Sequence, residues 1–286
     1  MKNIMVMANF SRSNALSCTE NVCTCLYELG VAILMPDTAK ENYDRGFVEY
    51  APFYKALERA DALVAIGGDG TILHAAKHAV EYEKPVFGVN AGRLGFLASL
   101  EQNELSALKK LAVGEYRIQS RMMLRVRHCH RGNVTEYQAL NDVVISKGAV
   151  SRVIDLDVFC MGRFVSSYRA DGIILSTPTG STAYSLSAGG PIIEPNMNCI
   201  TLTPISPHSL FDRPIVFADN NRLTIRPGEN NDTDIYFTVD GELAIEIEQG
   251  DELIVEKSAT SVSLIDLSEK PFYEVLHEKF LTRAKS

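Results

Sequence analysis

The chain has no tryptophan, only six cysteines, and a deficit of positive charge. Its 28 lysines and arginines stand against 36 aspartates and glutamates, a formal net charge of −8. A nonspecific nucleic-acid binder needs a basic face, so no nucleic-acid partner is expected. No stretch approaches the apolar length of a bilayer span, so no membrane association is expected either. The opening MKNIMVMANFSRSN has too short an apolar run for a signal peptide and reads as a first strand, with the cytoplasm as the expected setting. Cys23-Thr24-Cys25 lacks the spacing of a redox or zinc Cys-x-x-Cys pair, and all six thiols are expected to be reduced. The six histidines form no metal pattern, and His128 and His130 alternate on a strand as surface or packing residues. There is no internal repeat, no low-complexity tract and no Walker sequence, Gly-x-x-x-x-Gly-Lys-Ser/Thr.

What remains is a globular composition, 46% hydrophobic and 22% charged over 286 residues, with ample core for one large domain or two ordinary ones. The chain is organised around residues 62–82. Ala62-Leu63-Val64-Ala65-Ile66 suits a strand buried on both faces, and Gly67-Gly68-Asp69-Gly70 allows a sharp turn and a close approach to a ligand. From Thr71, apolar residues at 72, 75, 76 and 79 recur at helical spacing. Strand, glycine turn and helix start together form an anion site, because the first helical amides are unpaired and the dipole favours phosphate. Asp69 is the odd member of that turn. One reading is a base or hydroxyl-orienting group beside a phosphoryl acceptor; the other is an Asx turn or cap that closes the loop.

Strands expected at residues 3–7, 31–35, 62–66 and 85–89 alternate with helices expected at 14–29, 49–60, 71–82 and 105–113. That alternation predicts a Rossmann-like parallel sheet with helices on both faces, its ligands beyond the carboxyl ends of the strands. The two glycine loops, the one at Asp69 and Asn90-Ala91-Gly92-Arg93-Leu94-Gly95-Phe96, both fall at such ends. From Arg117 to about Leu267 the pattern switches to period two, with turn signals at Met161-Gly162, Pro227-Gly228, Asp240-Gly241 and Gln249-Gly250-Asp251. This predicts an antiparallel β-sandwich domain over 117–267. The last segment, 271–284, has an apolar stripe of Phe272, Val275, Leu276, Phe280 and Leu281 and is expected to return to the first domain. The expected division is therefore an α/β nucleotide-binding domain, 1–116 with 268–286, and a β-rich domain, 117–267, to which the resemblance given below assigns dinucleotide binding.

The densest motif is RADGIILSTPTGSTAYSLSAGGP, residues 169–191. Its hydroxyl run, including Thr179 and Thr182, suits ribose, phosphate or a base edge, and Tyr184 suits stacking on a base. Arg169 and Asp171, two apart on an extended segment, are expected on one face. Asn141-Asp142 before Val143-Val144-Ile145 reads alone as a turn and beside the other motifs as part of the site. Taken in order, GGDGT at 67–71, NAGRLGF at 90–96, LNDVVI at 140–145, DGIILSTPTGSTAYSLSAGGP at 171–191 and PHSLFDRP at 207–214 resemble the NAD kinase family. GGDGT is shared with lipid and phosphofructokinase-like kinases, whereas the STPTGSTAYSLSAGGP block is far more specific.

The resemblance implies transfer of the ATP γ-phosphoryl group to the 2′-hydroxyl of the adenosine ribose of NAD, giving NADP, with polyphosphate an open alternative to ATP. It implies Asp69 as general base with Gly70 beside it. Asn141, Asp142, Arg169, Asp171, Thr182, Ala183, Tyr184, Ser185, Leu186 and Ser187 become the dinucleotide-binding set, and His74 and Arg152 match positions that touch ligands in the family. Two departures stand out: the family commonly has Asn-Glu at Asn141-Asp142, and often a glutamine at Glu242. The resemblance further implies magnesium or manganese as the divalent metal, with no protein ligand assigned, and a homo-oligomer, a tetramer. A lipid- or sugar-kinase of the same GGDG superfamily, or a dinucleotide sensor without catalysis, are the rival readings.

Overall fold

The computed structural model describes residues 1–12, 14–92, 95–149, 152–209, 211–229, 231–267 and 270–284. Arg93 and Leu94 of the second glycine loop, Leu210 of the PHSLFDRP block, and the side chains of Phe280 and Leu281 lie outside the described residues. The chain divides into two compact units, residues 1–120 with 262–286 and residues 121–261.

The first unit is a parallel sheet. β1 (Asn3–Ala8), β2 (Ala32–Pro36), β3 (Val48–Ala51), β4 (Ala62–Gly67) and β5 (Val86–Asn90) lie in the order β3-β2-β1-β4-β5. β6 (Leu100–Glu101) pairs with the end of β5. Between the strands run α1 (Ala15–Glu28), α2 (Phe53–Arg59), α3 (Asp69–Glu81) and α4 (Lys109–Val113). β4 is buried along its whole length, as expected of a strand covered by helices on both faces. Cys18 and Cys23 sit inside on α1, where burial pushes their thiols up to about 11 and about 12.

Two expectations are corrected here. Residues 49–51, read as the start of a helix, are strand β3, in parallel register with β2 from Ile33↔Val48 to Pro36↔Ala51. Pro52 explains the difference, since the residue before a proline is driven to extended backbone and the helix starts only at Phe53. Residues 105–113 are not one α-helix: a 3-10 segment, Gln102–Leu108, precedes α4.

The second unit is mostly β. It comprises β7 (Arg117–His130), β8 (Asn133–Ala139), β9 (Asp142–Lys147), β10 (Ile154–Cys160), β11 (Arg163–Ala170) and β12 (Gly172–Ser176). After a one-turn helix, α5 (Tyr184–Ser187), follow β13 (Cys199–Ile205), β14 (Ile215–Ala218), β15 (Leu223–Pro227), β16 (Ile235–Val239), β17 (Glu242–Ile247) and β18 (Glu252–Asp266). One sheet runs β14-β13-β12-β9-β16-β17, all antiparallel. β11-β10-β15-β18 form the other layer, with β7 and β8 beyond β18. Side chains alternating inward from both layers, among them Leu124, Ile145, Leu156, Ile173, Leu202, Ile225, Phe237 and Leu253, make one buried core. β18 crosses back into the first unit, where Leu264 pairs with Val86 of β5.

The chain closes with α6 (Phe272–Ala284) in the first unit. Its Phe272 ring meets Phe96 at 6.5 Å, and Lys270 lies 3.8 Å from Glu104.

Candidate active site

In the first unit the sheet order reverses between β1 and β4, the place where an open α/β sheet opens a crevice at its carboxyl edge. β1 leads to Arg12 there, and β4 leads through Gly68 to Asp69, the first residue of α3. With Asn90, Ala91, Gly92 and Gly95 they line a cavity of about 180 Å³. The α3 amide end and the Arg12 guanidinium make it a place for an anion.

Asp69 is held in that cavity by its neighbours. Its Oδ2 accepts the Phe96 amide at 2.9 Å and its Oδ1 the Leu97 amide at 3.1 Å. Gly95 has to be glycine, since a Cβ there would lie 2.0 Å from Asp69 Oδ1. Lys279 of α6 reaches to 3.9 Å from Oδ2 and lies 3.6 Å over the Phe96 ring. The carboxylate therefore joins the two glycine loops and still has a second lone pair on each oxygen.

In the second unit a larger cavity, about 400 Å³, is lined by Asn141, Asp142, Val144, Ser146, Ala183, Tyr184, Thr238, Asp240 and Gly241. Asp240 builds its polar end. Its carboxylate accepts the amides of Leu140, Asn141 and Asp142 at 2.8, 2.7 and 3.1 Å, while its own amide donates to Asp142 O at 2.9 Å. Asp142 is only 5% exposed. Burial, and then the Asp240 carboxylate beside it, push the Asp142 carboxyl up to about 7. Tyr184 is 47% exposed at the wall of this cavity, a flat ring open to a stacking partner.

The hydroxyl loop docks on the same corner, with most of its hydroxyls turned inward. Thr177 Oγ1 donates to Leu140 O at 2.6 Å, and the Thr177 amide donates to Asn141 O at 2.9 Å. Ser176 bonds Thr201, Ser181 bonds Pro178 O, Thr182 bonds Thr179 O, and Ser185 bonds Thr203. Gly180 is required by the fit, because a Cβ would stand 2.0 Å from Asn141 O. These bonds fix the loop that carries Ala183 and Tyr184.

The sequence matches the ATP-NAD kinase N-terminal domain over residues 4–116 and the ATP-NAD kinase C-terminal domain over residues 140–267. It is 38% identical to the NAD kinase of Geotalea daltonii over 98% of both chains. It is 36% identical to that of Caldanaerobacter subterraneus over 99% of this chain and all of the other. The chain belongs to the NAD kinase family. The fold agrees: yeast NADH kinase complexed with NADH superposes with a TM-score of 0.86 at 26% identity, over 97% of this chain and 86% of that one. The Archaeoglobus fulgidus NAD kinase in complex with ATP gives 0.72 at 25% identity, over 98% of each. This NAD kinase family member is thus a phosphotransferase whose reaction yields NADP.

The structure places the other expected site residues of the kinase as follows. Asn141, Asp142, Ala183 and Tyr184 share one cavity. Thr179 and Ser185 are buried, Leu186 is half-buried, and Ser187 is exposed on α5. Asp171 pairs with Lys147 at 2.6 Å at the far end of β12 from Ser176, and Arg169 is exposed on β11. Arg152 is on the surface with Asp232, 3.2 Å away. Glu242 opens β17 opposite Val239, outside the residues that line the cavity. Gly70 and His74 are exposed on α3, the His74 ring 4.8 Å from His78.

Four residues escaped the sequence reading: Arg12, Asn90, Asp240 and Lys279. Asn90 and Asp240 stood in motifs read only as loop and hairpin turn; Arg12 and Lys279 carried no local signal.

Proposed function

We propose that the chain transfers the γ-phosphoryl group of ATP to the 2′-hydroxyl of the adenosine ribose of NAD, with Asp69 as the general base. The observation that carries this reading is a carboxylate at the start of α3, in a cavity otherwise suited to anions. Simple phosphate binding gains nothing from a negative charge there. As base, Asp69 orients the hydroxyl and accepts its proton late, because little nucleophile bonding develops in a loose phosphoryl-transfer transition state. The amides of Phe96 and Leu97 and the Lys279 ammonium keep the carboxylate fixed while it does so. Arg12 and the α3 amides counter the phosphate charge. Asn141, Asp142 and Tyr184 hold the acceptor: the amide and carboxyl bond base and ribose groups, and the ring stacks.

The anion cavity fits a divalent cation held chiefly by phosphates, since Asp69 is the carboxylate among its lining residues. When bound with the triphosphate, magnesium or manganese would neutralise charge on the group in transfer. Incubation with ATP, magnesium and NAD, read by NADP formation, tests the reading, and substituting polyphosphate for ATP fixes the donor. Asp69→Asn should lower kcat on the order of 10²–10⁴-fold with NAD affinity nearly intact. A folded variant retaining more than about a tenth of the parent kcat would make Asp69 a loop clamp and place the base elsewhere.

A homo-oligomer, a tetramer, is the assembly we propose. Supporting it is Phe211, 92% exposed beside the edge strand β14. Light scattering that gives a monomer at micromolar concentration would overturn it.

A further inference from the structure

A second cluster of ligand-type side chains lies in the β unit, built by the end of the β7–β8 hairpin and the turn that links β17 to β18. His128 and His130, two apart on β7, project to the same face. The turn Gln249-Gly250-Asp251 between β17 and β18 sets Asp251 against them. His128 Nε2 is 3.0 Å from Asp251 Oδ2, and His130 Nδ1 is 2.9 Å from Oδ1 and 3.0 Å from Oδ2. One ring nitrogen of each histidine and a carboxylate oxygen all fall within 4.8 Å of one another.

We propose that His128, His130 and Asp251 form a binding site for a transition-metal dication, with zinc as the ion. Two imidazoles and one carboxylate are a three-ligand zinc set, and a water on the open side completes the tetrahedron. Metal bonds of about 2.0–2.1 Å at tetrahedral angles set ligand atoms roughly 3.4 Å apart. The carboxylate withdraws by a few tenths of an ångström from each ring, and the two imidazole nitrogens, within 4.8 Å of each other, close toward that spacing by small rotations of the rings. Each ring then carries its proton on the other nitrogen, His128 on Nδ1 and His130 on Nε2, and turns a lone pair to the ion. Asp251 is already aimed, because the Glu248 amide donates to its Oδ2 at 2.9 Å.

The surroundings suit such a centre. His128 and Asp251 are buried while His130 is partly exposed, so the fourth position opens to solvent on the His130 side. Phe237 stands edge-on to the His128 ring at 5.2 Å and limits its rotation. Arg131 and Glu248 join the same hairpin end and turn at the rim, 2.5 Å apart. Nitrogen donors select zinc, copper or nickel over magnesium, so this site does not compete for the dication of phosphoryl transfer. A bound ion would tie the β7–β8 hairpin to the β17–β18 turn. Asp251 lies more than a hundred residues from the histidines, which is why their spacing alone shows no ligand pattern.

The test uses the full-length protein stripped of metal, titrated with zinc by calorimetry in excess magnesium. The expected result is one zinc per chain and a rise in melting temperature at stoichiometric zinc. Cobalt(II) in the same site should give the visible bands of a low-coordinate nitrogen–oxygen site without thiolate charge transfer. His130→Gln, at the solvent side, should weaken zinc on the order of 100-fold or more. His130→Cys, which restores a ligand atom, should recover binding and add the thiolate band. A parent chain that takes up no zinc overturns the proposal. So does a folded His130→Gln chain with the parent affinity, or a parent cobalt spectrum dominated by thiolate.

Discussion

At the scale of single residues the two carboxylates of the candidate site differ because their surroundings differ. Asp69 meets two amides and an ammonium, which fix its direction in the cavity. Asp142 is buried against Asp240, and both effects favour its protonated form. Its carboxyl, ordinarily near 3.8, is pushed up to about 7, so the native chain holds a proton that the unfolded chain has released. Stability from this group is thus full below about pH 4 and is lost as pH rises to about 7. Denaturant midpoints between those values should fall with rising pH in the parent, and Asp142→Asn should flatten the slope. An unchanged slope in the variant would assign the pH dependence to other groups. The glycines around Asp69 made its position legible in the sequence. Asp240 was not, because its three acceptor bonds reach amides about 100 residues away and nothing local distinguishes it from an ordinary hairpin aspartate.

At the scale of elements, periodicity was a sound guide where packing alone decides the conformation. β4 and α3 follow their apolar spacing closely. It failed at residues 49–51, where the proline after them and the open edge of β2 outweighed a helical pattern. The hydroxyl loop was legible as a cluster but not in its directions, since which way a serine points depends on carbonyls that only the folded sheet supplies. α6 matters more than its length suggests. Lys279 touches both Asp69 and the Phe96 ring, so the last helix helps to seat the second glycine loop. Lys279→Met keeps the apolar stem and removes the charge. It should cost about 1 kcal/mol of stability, the sum of a partly exposed ion pair and a cation–π contact. Urea unfolding checks the cost. A variant as stable as the parent would show that Lys279 does not hold the loop.

At the scale of the whole chain, the two architectures follow from two periods in one sequence. Apolar runs alternating with 3.6-residue patterns gave a parallel sheet, and period-two runs gave antiparallel layers. What no period could supply is the meeting of distant turns, such as the corner built by residues 140–142, 177–180 and 240. That corner leaves Tyr184 standing half in solvent at the cavity wall, in a protein without a single indole. Such a molecule is optically silent where most proteins glow. Tyr184→Trp would therefore install one lamp in a dark chain, set where a base is expected to stack. Its emission should be quenched by added NAD along a saturable curve and left unchanged by free ribose. A lamp indifferent to NAD would mean that the ring faces something other than the dinucleotide.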